Sequence, residues 1–428
     1  MEAMATAIKE WATSVIRCSI VYNMNIAFVQ VLKIKDFRNL WLSQLISQVF
    51  LNLLFFSLMI RIYELTHSNS AVSVLVFLVT LPNILLGALA GVLVDRWGRK
   101  PVMFFCHFIR FFAVLAFFIS SETLGWIYAL AFLISSITQF FFPAEAATIP
   151  QVVKDRKLLL TANGFFTLTF FGSVIMGNVL AGPMLGIFGA HVTFMTVSFA
   201  FLVASLFTSR LPGDLVLDTV KPSNLFSDFL VGLDHIYKNP LIQKGILALG
   251  ASQITVGILG TIAPGFADKI LKLPVTDVSI FIMAPAAMGM GLGALIVGQF
   301  FRKIEKEKLI GIGFLTASFG LIIYSVVDQF TLFLGIPTVG VSVLILLGLG
   351  MSNAALDVPV NTMIQENTTE DVRSRVYGVV SMVIGMAAIF PIVLSGALAD
   401  VIGVRYVMMF SGVALLGVGL YIKDKWKK

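Results

Sequence analysis

Long apolar runs separated by short polar connections dominate the chain. Runs of roughly bilayer length fall near 37–62, 70–94, 101–120, 124–148, 159–186, 190–210, 241–265, 276–300, 307–327, 331–357, 375–399 and 404–421. A helix rising about 1.5 Å per residue needs about 20 apolar residues to cross a hydrocarbon core roughly 30 Å thick. Inside lipid every backbone N–H and C=O must find an internal partner, which a helix supplies along its own length. The pattern therefore predicts an all-α membrane protein with twelve transmembrane helices.

The connections between runs alternate in charge. One set holds Lys33, Lys35 and Arg38, then Arg96, Arg99 and Lys100, then Lys154, Arg156 and Lys157. The same set continues through Arg210, Lys221, Lys238 and Lys244, through Arg302, Lys303, Lys306 and Lys308, through Arg373 and Arg375, and into the tail at Lys423, Lys425, Lys427 and Lys428. The intervening connections hold Lys269, Lys272 and Arg405. Lys and Arg concentrate on the cytoplasmic side of membrane proteins. Both termini are thus expected in the cytoplasm, with the chain multi-pass in an inner or plasma membrane.

Residues 1–36 are expected to form an N-terminal cytoplasmic extension. Its stretch WATSVIRCSIVYNMNIAFVQVL is apolar in patches but interrupted by Arg17, Asn23 and Asn25, and it lacks the marks of a secretory signal. Two readings stay open: a helix lying at the membrane surface, or translation from Met24, with 1–23 not part of the protein. Residues 211–240 read as a cytoplasmic linker. There Leu225, Phe226, Phe229, Leu230, Leu233, Ile236 and Tyr237 recur at helical spacing, with Asp228, Asp234 and Lys238 on other faces and Asn239-Pro240 as a stop. The linker divides the chain into halves at 37–210 and 241–421, and 422–428 reads as a basic tail. Weak repeats join the halves: Pro143 with Pro359 and Asp155 with Asp371 at a spacing of 216, and Gly182 with Gly396 and Gly189 with Gly403 at 214. Two pseudo-symmetric six-helix bundles follow from such a duplication.

Composition narrows the function. Only 12% of residues are charged and 58% are hydrophobic, against about 25% charged in a soluble domain. In that context the net charge of +7 reports cytoplasmic loops rather than a nucleic-acid surface. Cys18 and Cys106 are the two cysteines, too few for a disulfide framework or a metal site. No nucleophile–base set, metal cluster or phosphate-binding glycine loop is legible, so neither an enzyme nor an ATP-driven pump is expected, and no cofactor is implied. A receptor would need a larger soluble module than the linker.

One stretch breaks the avoidance of charge. Residues 91–100, GVLVDRWGRK, place an Asp, two Arg and a Lys between spans two and three. Gly91, Asp95, Arg96, Gly98, Arg99 and Lys100 match G-x-x-x-D-R-x-G-R-K, and here the chain resembles the major facilitator superfamily. The resemblance implies the major facilitator fold, alternating access, and a monomer. It also implies a cytoplasmic gate in which Asp95 favours the positive N-terminus of helix eleven, near Arg375. Gly91 would permit close approach and Gly98 a sharp turn. Glu145 is expected to pair with Arg96 or Arg99. The second-half loop GQFFRKIEKEKL keeps Gly298 but has Arg302 in place of the Asp. On span five, NVLAGPMLG presents Asn178, Gly182, Pro183 and Gly186, similar to the G-x-x-x-G-P-x-x-G signature of antiporting exporters, with Asn178 replacing a glycine. A structural packing kink is the competing reading. FFFPAEAATIPQVV, the linker helix and NAALDVPVNTMIQ resemble the macrolide and siderophore exporter branch.

Polar residues inside spans supply the candidate cargo site. Gln44, Gln48 and Asn52 form a stripe on span one, and amides facing lipid would be costly. By resemblance span one lines the central cavity, so substrate contact is expected, against the alternative of helix–helix hydrogen bonding. Gln139, Asn163, Gln253 and Asn353 are secondary cavity candidates. Arg110 lies about 15 Å into its helix, with His107 one turn earlier; such a charge serves function or braces the bundle. Asp357 and His107 are the candidate proton sites. In APAAMGMGLGALIVG, Ala287 with Gly291 and Gly289 with Gly293 predict close helix packing. The expected function is secondary, proton-coupled export of amphipathic small molecules, with a lipid or lysolipid flippase or an uncoupled facilitator as the alternative.

Overall fold

The computed structural model describes residues 29–117, 123–213, 225–301 and 304–426. The expectations for residues 1–23, for Cys18, and for Arg302 therefore lie outside the described residues. Helix α1, Lys35–Thr66, turns through His67 into α2, Asn69–Trp97. The Ser68 side chain caps α2 by accepting from the Ala71 N–H at 3.2 Å, a role suited to a short hydroxyl at a helix start. At the other end of α2, Gly98 takes φ 85° and ψ 141°, and α3, Arg99–Leu115, begins at once. That backbone is glycine's own, and it is the sharp turn expected there.

Helix α4 spans Leu124–Val152. The next helical run, Arg156–Ser209, is broken by Gly189 at φ 77° and ψ 170°, which divides it into α5 before the glycine and α6 after it. The linker helix α7, Leu225–Lys238, stops where Asn239-Pro240 predicts. The Asn239 side chain then caps α8, Pro240–Phe266, by accepting from the Leu241 and Ile242 N–H groups at 3.1 and 3.4 Å. Helices α9 (Ala284–Phe300), α10 (Lys306–Ser325), α11 (Val327–Leu334), α12 (Thr338–Glu366), α13 (Glu370–Val401) and α14 (Val404–Trp426) complete the order. Helix α13 starts at Glu370 rather than near Arg375, and α14 continues past the expected end of its span at 421.

Among the described residues, ten helical stretches are long and apolar enough to cross a membrane. Two features bear on the expected twelve: one of the ten is the run divided at Gly189, and α3 has 17 residues among those described. In the packing order α1 lies on α5 and α6, α2 on α4, α9 and α10 on α12, α10 on α14, and α8 on α13. Between the halves, α2 packs on α13, and α5 packs on the turns that lead into α9.

Glycines set the closest approaches. Lipid tails are as apolar as leucine, so helices associate in a membrane through contact rather than through exclusion of water. Gly293 lies against α12, where an added Cβ would sit 2.7 Å from the Met351 Cα, and Gly289 meets the Leu347 backbone. Gly350 returns the contact toward Met290. Gly291, by contrast, faces open space. Of the two predicted small-residue pairs, the Gly289–Gly293 pair therefore forms the seam, because its four-residue spacing keeps both on the α12 face. Gly289→Leu should cost roughly 1–3 kcal/mol or more by overpacking backbone, lowering the yield of monodisperse protein in detergent chromatography, while Gly291→Leu should leave it unchanged.

Candidate functional site

A cavity of about 920 Å³ lies between the halves. The first half contributes Val76, Phe77 and Thr80 of α2 and Phe171 of α5. Helices α8, α9, α12 and α13 supply the rest, including Gln253, Met290, Asn353, Asp357 and Tyr377. Along α13 the cavity reaches from Val393 to Tyr377, about 24 Å of helix, toward the end of the molecule where Arg96, Arg99 and Lys100 sit.

Its polar centre is built on two facing helices. Asp357 on α12 accepts from the Ser252 hydroxyl at 3.0 Å through Oδ1 and from the Gln253 amide at 3.3 Å through Oδ2. Asn353, one turn earlier, donates to the Ser252 Oγ at 2.8 Å. The Asn353 Oδ1 is buried with no hydrogen-bond partner. Among the described residues no ion pair involves Asp357. A carboxylate among neutral donors and apolar walls is suited to a proton or a cationic group, since a bare charge there is costly.

The cavity is closed at the end away from the basic residues. The Tyr63 hydroxyl donates to Asp268 at 3.1 Å, and the Gly182 N–H donates to the Ser279 Oγ at 2.8 Å across the contact between the halves. A Cβ on Gly182 would lie 2.8 Å from the Ser279 side chain, and Gly186 faces Thr276. The span-five motif thus makes a close interhelical contact; Pro183 lies inside the same run and Asn178 is half-buried. Beside it, Asp400 at the end of α13 accepts from the Ser68 and Ser70 hydroxyls at 2.6 and 2.7 Å. It also accepts from the Asn69 and Ser70 N–H groups at 2.8 Å each, and from the Asn69 amide at 2.9 Å.

Several expected site residues lie elsewhere. Gln44 and Gln48 are buried and do not line the cavity. Gln44 donates to the Phe166 carbonyl at 3.4 Å, and Asn52 donates to the Gln48 carbonyl at 2.8 Å. Gly177 of α5 comes so near α1 that a Cβ would sit 2.6 Å from the Asn52 Cβ, so the amide stripe belongs to the α1–α5 seam. Gln139 donates to its own helix at Ser135, 3.3 Å, and Asn163 is exposed; neither lines the cavity. Gln253, Asn353 and Asp357 do.

His107 and Arg110 are sealed inside the first half. His107 is fully buried, 3.1 Å from the Ser43 Oγ, with its ring against Phe141. Arg110, 1% exposed, donates to the Thr138 hydroxyl at 2.8 Å and lies over the Phe141 and Phe201 rings at 5.2 and 5.7 Å. This is the bracing geometry rather than a cavity charge. Glu145 is buried, with Oε1 lacking a hydrogen-bond partner, and among the described residues no ion pair joins it to Arg96 or Arg99. Arg99 instead donates to the Ala147 carbonyl at 2.6 Å, and Lys100 to the Leu211 carbonyl. Arg96 is exposed; Gly91 and Asp95 lie on α2, and the surroundings of both lie outside what is described. Sequence reasoning does not single out Ser252 or Asp400: a lone serine in a span is common, and Asp400 falls just past the predicted span end at 399.

Known proteins share this plan. A family model described as Major Facilitator Superfamily matches residues 40–390. Macrolide efflux protein A of Streptococcus pyogenes is 23% identical over 403 residues, covering 90% of this chain and 94% of that protein. A putative bacilysin exporter of Bacillus subtilis is 25% identical over 345 residues, covering 78% and 80%. The crystal structure of a nucleoside transporter superposes with a TM-score of 0.71 at 15% identity, covering 92% and 99%; at that distance the likeness is one of fold.

Arg110→Ala would remove the guanidinium from its hydroxyl and ring partners and leave a cavity in a packed bundle. The expected loss is about 2–4 kcal/mol, read as earlier thermal unfolding in detergent, and Arg110→Lys should recover little of it because an ammonium cannot lie flat between two rings.

Proposed function

This chain belongs to the Major Facilitator Superfamily, and we propose that it is a secondary exporter of amphipathic small molecules, coupled to protons and working by alternating access. The observation that carries this reading is the cavity between the halves, apolar over most of its wall, closed at one end and holding one carboxylate without an ion-pair partner among the described residues. The relatives with efflux, exporter and multidrug-resistance names support the direction.

In this reading the basic end faces the cytoplasm, both termini lie there, and the closed end faces outward, in an inner or plasma membrane. Cargo enters from the cytoplasmic side. Its cationic or donor group meets Asp357, Gln253 and Asn353, while its apolar body lies against Phe77, Phe171 and Met290. Rocking of the halves opens the outer end. A proton taken up on Asp357 from outside displaces the cargo's charged group and accompanies the return. The Gly91–Lys100 segment, at the junction of α2 and α3, holds the cytoplasmic end shut in the outward-open state. Each molecule carries its own cavity, so the working unit is a monomer.

Everted membrane vesicles containing the protein, given a hydrophobic cationic dye and an imposed proton gradient, test this. Wild type should take up dye only with the gradient, and Asp357→Asn should reduce gradient-driven uptake at least about ten-fold while leaving the protein folded, since a proton-carrying side chain in a span cannot be replaced by an amide. Dye entry that ignores the gradient would remove proton coupling and favour an uncoupled facilitator or a lipid flippase.

A further inference from the structure

Gly396, Asp400 and Gly403 repeat the spacing of Gly91, Asp95 and Gly98, with the acid four residues after the first glycine and three before the last. The backbone repeats as well. Gly98 and Gly403 have φ of 85° and 98°, and each stands directly before the next helix, α3 and α14. The two copies sit at opposite ends of the molecule, because α2 and α13 run antiparallel and each carries the motif at its C-terminal end. Two other helix ends keep part of the pattern without an acid at its middle position: Gly182, Gly186 and Gly189 at the end of α5, and Gly298 and Arg302 at the end of α9, where Glu305 replaces the last glycine. Of these four helix ends, the acid stands on the two helices, α2 and α13, that pack on each other between the halves.

The α13 copy is engaged in this structure. Asp400 takes five hydrogen bonds from Ser68, Asn69 and Ser70. The first N–H groups of a helix have no partner within the helix, and its positive pole favours a carboxylate. Gly396 allows the approach, for a Cβ there would fall 2.6 Å from the Ser73 hydroxyl oxygen.

We propose that Asp400 is the outer gate residue of transport, an inverted copy of Asp95 acting on the same pair of helices. In the state described here Asp400 holds the N-terminus of α2 and closes the outer end. In the opposite state that contact is broken, and Asp95 holds the N-terminus of α13 at the basic end. The halves cannot satisfy both carboxylates at once, so the two contacts define two states. The inference rests on the transporter reading but not on export or on proton coupling.

A cysteine reporter tests it without cargo. Ser279 is fully buried at the outer contact with Gly182 and is not a partner of Asp400, so Ser279→Cys, in a full-length chain with Cys18 and Cys106 replaced, reacts with a membrane-impermeant maleimide from outside only when the outer end opens. Asp400→Asn should raise the labelling rate about ten-fold, the scale of losing charge-assisted hydrogen bonds. Asp95→Asn should lower it, and the double variant should return toward the parent. Asp400→Glu, which keeps the charge, should stay within about three-fold of the parent. If Asp400→Asn does not accumulate as folded protein, Ser68→Ala with Ser70→Ala removes two of the donors and should give a smaller rise of about three-fold. Unchanged labelling in both the Asn and the double-Ala variants, or a change of the same sign in Asp95→Asn and Asp400→Asn, overturns the proposal. Opposed labelling together with no dye export would instead refute the exporter reading and leave the latch standing.

Discussion

Everything in this fold depends on how closely two helices can approach in a solvent that gives them no reason to associate. Lipid supplies no hydrophobic push between apolar surfaces, so contact distance decides which helices stay together. The seams that hold each half are made where a side chain is missing: Gly177 against α1, Gly289 and Gly293 against α12, and Gly350 in return. The contacts between halves at the closed end use the same means at Gly182 and Gly396. Glycine close packing brings two backbones into register but is itself non-directional, and so it can part; at Gly182 the one bond beside it runs from the backbone N–H to the Ser279 Oγ. The carboxylate and hydroxyl groups placed beside those seams supply the direction.

Charge is then distributed by what each site must do. Arg110 is held by Thr138 and two rings with no path to the cavity, and it serves the integrity of one bundle. Asp357 is held more loosely, by one hydroxyl and one amide across a helix pair. That is enough to orient a carboxylate and leaves it without an ion-pair partner among the described residues. Asp400 makes more hydrogen bonds than either, accepting all five from the opposite half of the molecule.

The helices, their order and the linker were legible because lipid imposes a length and a polarity that few alternatives satisfy, and Asn239-Pro240 and Gly98 carry their local geometry in their chemistry. The amide stripe was less so. Gln44, Gln48 and Asn52 announce through cost alone that they face protein, but the same cost is avoided by a neighbouring helix and by a watery cavity, and only the position of Gly177 distinguishes them. His107 and Arg110 pose the same ambiguity, resolved by Ser43, Thr138 and Phe141, which lie on other helices. Asp357 could be read as unusual, yet its partner Ser252 could not, because a hydroxyl gains meaning only from what the fold sets opposite it. Asp400 escaped notice at a loop boundary, although its glycine spacing was already present in the chain.

The cavity wall is divided unevenly between the halves. Its carboxylate and amides stand on α8 and α12, whereas the first half offers Val76, Phe77 and Phe171, with Thr80 turned to its own helix through a bond to Val76. In the proposed reading, a cargo molecule bound there would be anchored by its head to one half and would rest its body on the other. If the halves rock as proposed, the anchored end would travel with the second half while the apolar end would slide over a greasy surface, as a shaft turns in an oiled bearing. Selection in such a device would act on the head group, and the shape of the tail would be left free to vary.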